Sequence, residues 1–462
     1  MTEGKGSTVE WLRPGEQQPP RILILGGGFA GVYTGYELQR RLRRSQAELA
    51  IVNRENFFVF YPLLPEIISG SIAVEAILNP IRLVVPAATL YVGEVADIDL
   101  AERRVTIRHG LYQHQQAPRA LYYDHLVLAL GGVPATFGIP GLAEYAFDVQ
   151  RLSNAFALRN HLIDVLEQAD IETNPLEKRQ LLTVVVIGGG STGIEVASEV
   201  WSLFIDAVRY YRHIEPEDFR VVIVQAGPRL IPEFPAKLGD YAAHLLTKRG
   251  VEVLLDRKVV RAEPEHVELD DGTIIPAHTI IGSVGVQPNP LVRNLGVEVD
   301  RRGRVVVDEF LRVPGYNNVW ALGDNALALD PETGEPYPQT AQHAVQEAKV
   351  VAYNISATLR GRPLKRIEYR TRGMLVSLGH RSAAGSIRGW TFSGFFAWWL
   401  WRTYYLLQLP RWERRLRVAF DWTLDLFFPP ELVQLKVGQP APAARRLVQT
   451  ALRRGQPRAV SE

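Results

Sequence analysis

Ile22-Leu23-Ile24-Leu25 is followed directly by Gly26-Gly27-Gly28-Phe29-Ala30-Gly31, and this order predicts a buried strand, a tight turn and a helix. Gly26, Gly28 and Gly31 in this first glycine loop (Gly26–Gly31) have the G-x-G-x-x-G spacing of dinucleotide-binding folds. Glycine suits these positions because it permits the tight turn and lets the backbone approach a pyrophosphate. The N-terminus of the following helix then stabilises the negative charge of the pyrophosphate. A single such loop could equally be an ordinary glycine-rich turn.

The same order occurs again further along the chain. Val184-Val185-Val186-Ile187 precedes a second glycine loop (Gly188–Gly193), in which Gly188, Gly190 and Gly193 repeat the spacing. Two copies, each between an apolar strand and a helix, argue against ordinary turns. We therefore predict an α/β fold with two Rossmann-like dinucleotide-binding domains, the second inserted in the first. We expect one to bind FAD and the other NAD(P)H, because hydride transfer needs both dinucleotides.

A third motif distinguishes the two loops. Val319-Trp320-Ala321-Leu322-Gly323-Asp324 reads as a buried strand ending in an acid, and Asp324 could accept hydrogen bonds from the ribityl chain of FAD. The alternative is that Asp324 caps the next helix. We assign FAD to the first glycine loop, and the candidate contacts are Gly26, Gly28, Phe29, Ala30, Gly31, Asp324 and Gly131, which follows the predicted strand Leu126–Leu130.

The acid that usually binds the ribose hydroxyls is missing from both units. Asn53 stands at the end of the predicted second strand of the first unit, and Gln225 at the corresponding place in the second. An acid there would repel the 2′-phosphate of NADPH, so the neutral amide of Gln225 and nearby Arg229 weaken that exclusion. We expect NADH to be used, with NADPH left open, and the candidate contacts are Gly188, Gly190, Thr192, Gly193, Gln225 and Gly285.

Composition narrows the chemistry. The 462 residues include no cysteine, which excludes disulfide frameworks, thiolate zinc sites, iron–sulfur clusters and a redox-active cysteine pair. A hydrophobic content of 47% and a net charge of +2 are those of an ordinary globular protein. We predict no metal site and no nucleic-acid partner.

The small net charge hides a basic, tryptophan-rich end. Six of the nine tryptophans fall within 33 residues, interleaved with arginines. The apolar segment Ser393–Leu409 has 17 residues, fewer than the ~20 that a membrane-spanning helix needs. We predict two amphipathic helices that lie on the lipid bilayer surface, Phe395–Leu409 and Trp412–Phe428, broken at Pro410. The alternative is a dimer interface made of the same aromatic residues, and both could hold.

From about Arg21 to Phe428 the sequence resembles the two-dinucleotide-binding flavoproteins and, more closely, the type II NADH:quinone oxidoreductases. The run Asn53–Pro65 is similar to the stretch that lines the flavin in that family, which implies contacts from Asn53, Arg54, Pro62 and Leu63. The run Thr340–Gln346 is similar to the family's Ala-Gln-x-x-x-Gln quinone-site signature, which implies roles for Ala341, Gln342 and Gln346.

The glutamine pair is physically suited to a quinone. Gln342 and Gln346 are four residues apart, so they share one helical face, and their amides can donate to a quinone carbonyl without titrating. The alternative is a solvated helix face, and His343 is interpreted as a packing or surface residue. Glu195 matches an acid that the family places near the nicotinamide, where it could assist NADH binding or deliver a proton. The alternative is an acid favoured in the first turn of a helix by the macrodipole.

The predicted function is transfer of two electrons from NADH through FAD to a membrane quinone, either menaquinone or ubiquinone, without proton pumping. Because there is no cysteine, disulfide and sulfide:quinone reductases are excluded. The alternatives are a soluble ferredoxin or rubredoxin reductase and a slow-turnover FAD/NADH-binding membrane redox sensor. We expect a homodimer, peripheral on the cytoplasmic face of the cell membrane.

The predicted outline has six parts. They are a flexible N-terminus (1–20), the first part of the FAD domain (21–150), the NAD(P)H domain (151–282), the second part of the FAD domain with the quinone motif (283–385), the membrane-associating helices (386–437) and a basic tail (438–462).

Overall fold

The computed structural model describes residues 19–109, 117–369, 371, 373–428 and 431–434. The predicted flexible N-terminus, apart from residues 19 and 20, and the predicted basic tail lie outside the described residues. The chain divides into two compact units. The first comprises Met1–Phe58, Leu78–Val133 and Val286–Thr371, and the second comprises Val59–Ile77, Pro134–Gly285 and Arg372–Glu462.

A five-stranded parallel sheet forms the centre of the first unit. Its strands stand in the order Val319–Ala321, His125–Leu128, Arg21–Leu25, Glu48–Asn53 and Ala88–Val92. Every residue of the central strand is buried, as expected for a parallel sheet that is covered on both faces. The helix Phe29–Arg41 follows the first glycine loop and packs against the glutamine helix (Ala341–Leu359).

The rest of the first unit consists of short elements. An antiparallel sheet contains Glu94–Asp99, Arg104–His109 and Ala117–Tyr122. The strands Val305–Val306 and Ala326–Leu327 pair in parallel, and short helices cover Ile81–Val84, Pro290–Asn294 and Gly323–Asn325. Short strands at the segment boundaries are Phe57–Val59, Leu78–Pro80, Gly132–Pro134 and Val286–Pro288.

The second unit contains another five-stranded parallel sheet. Its strands stand in the order Phe147–Asp148, Thr279–Gly282, Thr183–Ile187, Arg220–Val224 and Glu252–Leu254. The second-loop helix (Ser191–Ala207) follows the second glycine loop, and its apolar face joins those of Leu152–Ile171 and Ala236–Lys248 in one core. The smaller elements are the antiparallel strands Val259–Glu263, His266–Leu269 and Ile274–Pro276 and the short helices Tyr61–Leu63, Leu142–Tyr145, Pro175–Leu181, Val208–Tyr210 and Pro216–Asp218.

The segment Val59–Ile77 packs in the second unit, although the sequence predicts it in the FAD domain. Its short helix Glu66–Ser69 lies against the second-loop helix and Leu152–Ile171. Compact units thus change at residues 133 and 285, whereas the predicted domain boundaries stand at 150 and 282. The predicted boundaries describe functional domains and stay predictions.

The C-terminal part begins as a sheet. Strands Gly373–Ser377, Ala383–Ile387 and Trp390–Gly394 are antiparallel, so the first residues of the predicted helical segment are extended. The C-terminal helices (Phe395–Gln408 and Trp412–Leu424) then follow on either side of Pro410. The predicted α/β fold with two Rossmann-like units and a helical C-terminal segment is confirmed. Within the residues that the structure describes, no helix is long and apolar enough to cross a membrane.

Candidate active site

The first glycine loop has the geometry of a phosphate cradle. A Cβ at Gly26, whose φ is +109°, would lie 2.1 Å from the carbonyl oxygen of Ala129, and a Cβ at Gly31 would lie 1.9 Å from that of Gly26. A Cβ at Gly28 would meet no atom within 4 Å. The outer glycines are therefore required by the protein's own backbone, while the space beside the middle glycine remains for a ligand.

The second glycine loop repeats this arrangement in the second unit. A Cβ at Gly188, whose φ is +107°, would lie 2.2 Å from the Ser283 carbonyl oxygen, and a Cβ at Gly193 would lie 1.9 Å from that of Gly188. Beside Gly190 the nearest atom is Oε1 of Glu233 at 4.0 Å. Both loops thus fit a dinucleotide pyrophosphate on the side of the middle glycine.

Neutral amides hold both loops from the end of the next strand. Asn53 Oδ1 accepts a hydrogen bond from the backbone N–H of Gly27 at 2.9 Å. Gln225 Oε1 accepts one from the backbone N–H of Gly189 at 2.8 Å. Arg229 is half-buried and donates to the Pro232 carbonyl oxygen at 2.7 Å. Asn53 and Gln225 therefore position the loops, whatever they contribute to a ribose.

Asp324 lies beside the first glycine loop. It belongs to the turn Gly323–Asn325, and a Cβ at Gly323 would lie 3.0 Å from the Cβ of Ala30. Asn325 Oδ1 accepts from the backbone N–H of Gly131 at 3.1 Å, so Gly131 joins the same group. Burial raises the pKa of the Asp324 carboxyl. The structure thus brings Ala30, Gly131 and Asp324 together, as a flavin site in the first unit would need.

Sequence reasoning missed Glu347, which supports that turn. Its Oε2 accepts from the backbone N–H of Gly323 at 2.6 Å. Burial, opposed by this hydrogen bond and reinforced by the charge of Asp324, raises the pKa of Glu347 to about 7. The sequence contained one indication of this role: Glu347 lies on an otherwise apolar face of the glutamine helix, between Ala344 and Val351.

Gln342 and Gln346 lie half-buried on the glutamine helix, which Thr340 caps by accepting from the backbone N–H of His343. Gln342 Oε1 accepts from the hydroxyl of Tyr369, and Gln346 Oε1 accepts from Lys349 Nζ at 3.3 Å. His343 is buried and packs against the ring of Tyr337, with the two centroids 5.5 Å apart. The ring of His343 also packs against that of Tyr369, with centroids 5.3 Å apart, so Gln342 and His343 share Tyr369 as a neighbour.

Glu195 lies in the second turn of the second-loop helix, because that helix begins at Ser191. The interpretation as a first-turn acid is therefore wrong. Its Oε1 accepts from the backbone N–H of Ser377 at 3.1 Å. Burial raises the pKa of the Glu195 carboxyl to about 8, against the effect of this hydrogen bond and with the charge of Glu199. A carboxyl of this pKa is protonated near neutral pH and can act as a proton donor.

The remaining predicted contacts have varied surroundings. In the second unit, Gly285 has a φ of +117° and open space around its Cα, Thr192 is exposed, Leu63 is buried and Pro62 is half-buried. In the first unit, Arg54 is exposed and the ring of Phe29 packs edge-on against Phe58, with centroids 4.9 Å apart.

Glu233 is a second acid that sequence reasoning missed. Its Oε1 accepts from the backbone N–H of Ser191 at 2.9 Å and from the hydroxyl of the same residue. The carboxylate thus occupies the N-terminus of the second-loop helix, where the pyrophosphate of a dinucleotide would bind. A bound dinucleotide would have to replace it there.

Among the described residues, no group of three or more histidines, aspartates or glutamates could hold a metal ion. The two glycine loops are suited to the organic dinucleotides expected for them, because each keeps open space beside its middle glycine at the start of a helix.

Family comparisons reflect the division between the nucleotide units and the C-terminal part. Residues 20–348 match the model of the pyridine nucleotide-disulphide oxidoreductases, and residues 372–429 match that of the NDH2 C-terminal domain. The chain belongs to the pyridine nucleotide-disulphide oxidoreductase family. Because it has no cysteine, it cannot carry out the disulphide chemistry after which that family is named.

Individual relatives narrow the class. Type II NADH:quinone oxidoreductase Ndh of Mycobacterium tuberculosis is 33% identical over 453 residues, covering 94% of each chain. Demethylphylloquinone reductase NdbB of Synechocystis sp. is 30% identical and covers 87% of this chain and 95% of its own. NDH2 from Plasmodium falciparum, solved in complex with NADH, has a TM-score of 0.82 at 20% identity and covers 90% of this chain and 100% of its own. Within the family, the chain is one of the type II NADH:quinone oxidoreductases, and the predicted resemblance is confirmed.

Proposed function

We propose that this chain oxidises NADH and reduces a quinone dissolved in a membrane, with FAD as its resident cofactor. One observation carries the proposal: each of two glycine loops keeps open space at its middle glycine, Gly28 or Gly190, while backbone atoms fill the space at the outer ones. Two dinucleotides can therefore be held, one for each unit. The cysteine-free sequence leaves no disulfide or sulfide route for the electrons.

The first unit would hold FAD. The backbone of the first glycine loop would receive the pyrophosphate, and Asp324 and Asn53 would accept hydrogen bonds from the hydroxyls of the cofactor. Arg54, Pro62, Leu63 and Ala341 are proposed as further contacts. When bound, the flavin accepts hydride and donates two electrons, and the protein orients it and sets its surroundings.

The second unit would hold NADH. The second glycine loop would bind the pyrophosphate after Glu233 has released the N-terminus of its helix. Gln225, which is neutral and already bonded to the loop, would contact the adenine ribose without repelling a 2′-phosphate. We therefore propose NADH as the main substrate, with NADPH accepted less strongly.

Gln342, Gln346 and Glu195 are proposed to serve the quinone. Amide N–H groups of the two glutamines would donate to a quinone carbonyl, which would fix the ring without adding charge. The Glu195 carboxyl would give a proton to the reduced ring, because its pKa of about 8 keeps it protonated at neutral pH. Both menaquinone and ubiquinone present carbonyls of this kind.

The C-terminal helices are proposed to bind the surface of the bilayer. They expose large apolar side chains, including Phe396, Trp399, Trp412, Leu416 and Phe420. Such side chains enter the boundary between headgroups and acyl chains, which would bring the enzyme to its lipid-dissolved substrate. A peripheral location on the cytoplasmic face and a homodimer complete the proposal, and the same apolar surface is the candidate for a dimer contact.

Anaerobic titration of the purified protein with NADH tests the proposed function. We expect a yellow protein whose flavin absorbance is lost on adding NADH and returns on adding a soluble quinone analogue. A colourless protein, or a reduced flavin that the quinone does not reoxidise, would overturn the proposal.

The same experiment separates the two alternatives. A soluble ferredoxin or rubredoxin reductase would be reoxidised by the small redox protein far faster than by quinone. A slow-turnover sensor would reduce its flavin with NADH, but its steady-state NADH oxidation would stay slow with quinone present. Fast quinone-dependent oxidation favours the proposed enzyme over both.

A further inference from the structure

Two further buried carboxyl groups accompany Glu195, one on the second-loop helix itself and one on a short helix that packs against it. Glu199 is four residues after Glu195 on the same helix, and Glu66 is on the short helix Glu66–Ser69 that packs against it. Both side chains are buried, with 5% of Glu199 and 4% of Glu66 exposed. The Ser69 hydroxyl bonds to Glu199 Oε2, and Trp422 Nε1 donates to Glu66 Oε2 at 2.6 Å.

The surroundings of Ser69 can accommodate a proton on Glu199. Ser69 Oγ lies within hydrogen-bond distance of Glu199 Oε2 and of the Glu66 carbonyl oxygen, the latter at 3.1 Å, yet a hydroxyl has one proton. If Glu199 is protonated, it donates to Ser69 Oγ, and Ser69 donates onward to the carbonyl. Burial, together with the charge of Glu66, raises the pKa of Glu199 to about 8, against the opposing effects of the Ser69 hydrogen bond and the charge of Arg402. Burial raises the pKa of Glu66 as well, so both carboxyls hold a proton at a higher pH than they would in water.

A partly open cavity of about 290 Å³ adjoins the pair. Glu66, Glu199 and Ser71 line it, and Ser71 Oγ lies 3.0 Å from Ser69 Oγ. Its polar lining and size suit several water molecules. Ser377 also lines the cavity and donates its backbone N–H to Glu195. Ser377 therefore connects the wall of the cavity with the Glu195 carboxyl, which is the proposed proton donor.

We propose that Glu199, assisted by Glu66 and Ser69, returns a proton from this cavity to Glu195 during quinone reduction. The proposal rests on the proposed function, because quinone reduction is the step that consumes the proton. A quinone takes up two electrons and two protons, of which NADH supplies the electron pair and one proton as hydride, and the solvent supplies the other proton. Per turnover, Glu195 releases one proton, Glu199 replaces it, and cavity water reprotonates Glu199, directly or through Ser71 and Ser69.

Charges around the pair allow it to change protonation. Arg402 lies over the rings of Trp398 and Trp422, with its Cζ 4.3 and 4.8 Å from their centroids. Its Nη2 forms an ion pair with Oδ2 of Asp425 at 3.3 Å. Its charge lowers the pKa of both carboxyls and so opposes the effect of burial, which raises them. The other titratable or charged groups that face the pair, the cavity or Glu195 are Asp206, Arg209, Glu233, Arg249, His380, Arg381, Tyr405 and Asp425.

The test compares Glu199→Gln with the wild-type holoenzyme in two half-reactions. Glutamine keeps the size of the side chain and a contact to Ser69 but cannot pass a proton. We expect NADH to reduce the flavin at the wild-type rate, and a soluble quinone analogue to reoxidise it about tenfold more slowly, with a larger solvent deuterium isotope effect. The control is Glu177→Gln, an acid paired with His278 in the same unit, and both half-reactions should keep their wild-type rates.

Infrared difference spectra provide a readout without turnover. Titration of the holoenzyme across pH 8 should remove the protonated-carboxyl bands of Glu195 and Glu199, of which one is missing from Glu199→Gln and both are retained in Glu177→Gln. Ser69→Ala keeps both carboxyls and should slow reoxidation by a smaller factor. This second variant tests the relay even if Glu199→Gln fails to fold.

The outcomes separate the two proposals. If the wild type reduces quinone while Glu199→Gln and Ser69→Ala reoxidise at its rate, with the same isotope effect and the same carboxyl bands, the relay is wrong and the proposed function stands. If the wild type binds FAD and NADH but does not reduce any quinone, the proposed function is wrong and the relay with it.

Discussion

Trp422 Nε1 donates to Glu66 Oε2 at 2.6 Å, across 356 residues of sequence. The bond fastens the second C-terminal helix to the short helix Glu66–Ser69, which packs on the second-loop helix. Both side chains are buried, and a buried acceptor that loses its donor costs about 1–3 kcal/mol.

Replacing Trp422 by Phe should therefore lower the free energy of unfolding by about 1–3 kcal/mol, because Phe fills most of the space but has no N–H group. Denaturant unfolding of the holoenzyme measures the change. Trp412→Phe is the matched control, since 66% of Trp412 is exposed. Equal losses in the two variants would contradict the assigned role of the hydrogen bond.

The glycines of the first loop should respond differently to the same substitution. Gly31→Ala places a Cβ 1.9 Å from a backbone oxygen, so we expect lower thermal stability and loss of flavin. Gly28→Ala meets no protein atom within 4 Å, so the apoprotein should keep its stability while FAD affinity falls about tenfold or more. Thermal unfolding of the apoproteins and FAD titration measure both effects. Tight FAD binding by Gly28→Ala would show that the pyrophosphate lies elsewhere.

Gln225→Glu should increase the preference for NADH. The carboxylate can still accept from the Gly189 backbone N–H, so the second glycine loop should keep its geometry. Its charge would repel a 2′-phosphate, and we expect kcat/KM for NADPH to fall about tenfold while that for NADH changes little. The control is Arg257→Ala, which removes an exposed ion pair with Asp271 and also makes the unit more negative by one charge. An unchanged ratio of the two kcat/KM values in Gln225→Glu would count against the assignment of Gln225.

Glu199 should make the folded protein less stable as the pH rises. Its pKa changes from 4.5 to about 8 on folding, so between these values the unfolded chain has released a proton that the folded protein still holds. The folded protein binds more protons, and its free energy of unfolding falls with a limiting slope of about 1.4 kcal/mol per pH unit. This contribution is complete below pH 4.5 and lost above pH 8.

Denaturant unfolding at a series of pH values checks this dependence. Glu199→Gln should flatten the curve between pH 4.5 and 8, whereas Glu177→Gln should leave it as in the wild type. A Glu199→Gln curve as steep as that of the wild type would mean that Glu199 is ionised in the folded protein.

The exposed apolar side chains of the C-terminal helices should govern binding to lipid. Trp399→Glu combined with Phe420→Glu removes two large apolar groups and adds negative charge, so partitioning onto anionic vesicles should fall about tenfold or more. The control is Ile274→Glu, at an equally exposed apolar position in the antiparallel sheet of the second unit. Vesicle co-sedimentation measures the difference, and equal binding by both proteins would contradict the proposed membrane surface.

Much of the fold was predictable because it depends on local patterns. Apolar runs before Gly26 and Gly188 indicated the central strands, and the spacing of the glycines indicated the tight turn and the helix after each strand. The C-terminal helices were predicted from their composition and from Pro410. The sheet that precedes them was not predicted, because its strands are short and stabilise one another only when paired.

The sequence by itself determined the two dinucleotide loops. At their outer glycines a carbonyl oxygen lies within about 2 Å of the place where any other residue would have its Cβ, so only glycine fits there. Only the tertiary structure decided which carboxyls change their chemistry. Glu66 and Glu199 are ordinary acids in the sequence, marked only by their apolar neighbours, and their pKa values rise because folding removes both from water. Burial depends on contacts between residues hundreds of positions apart, and no local pattern specifies such contacts.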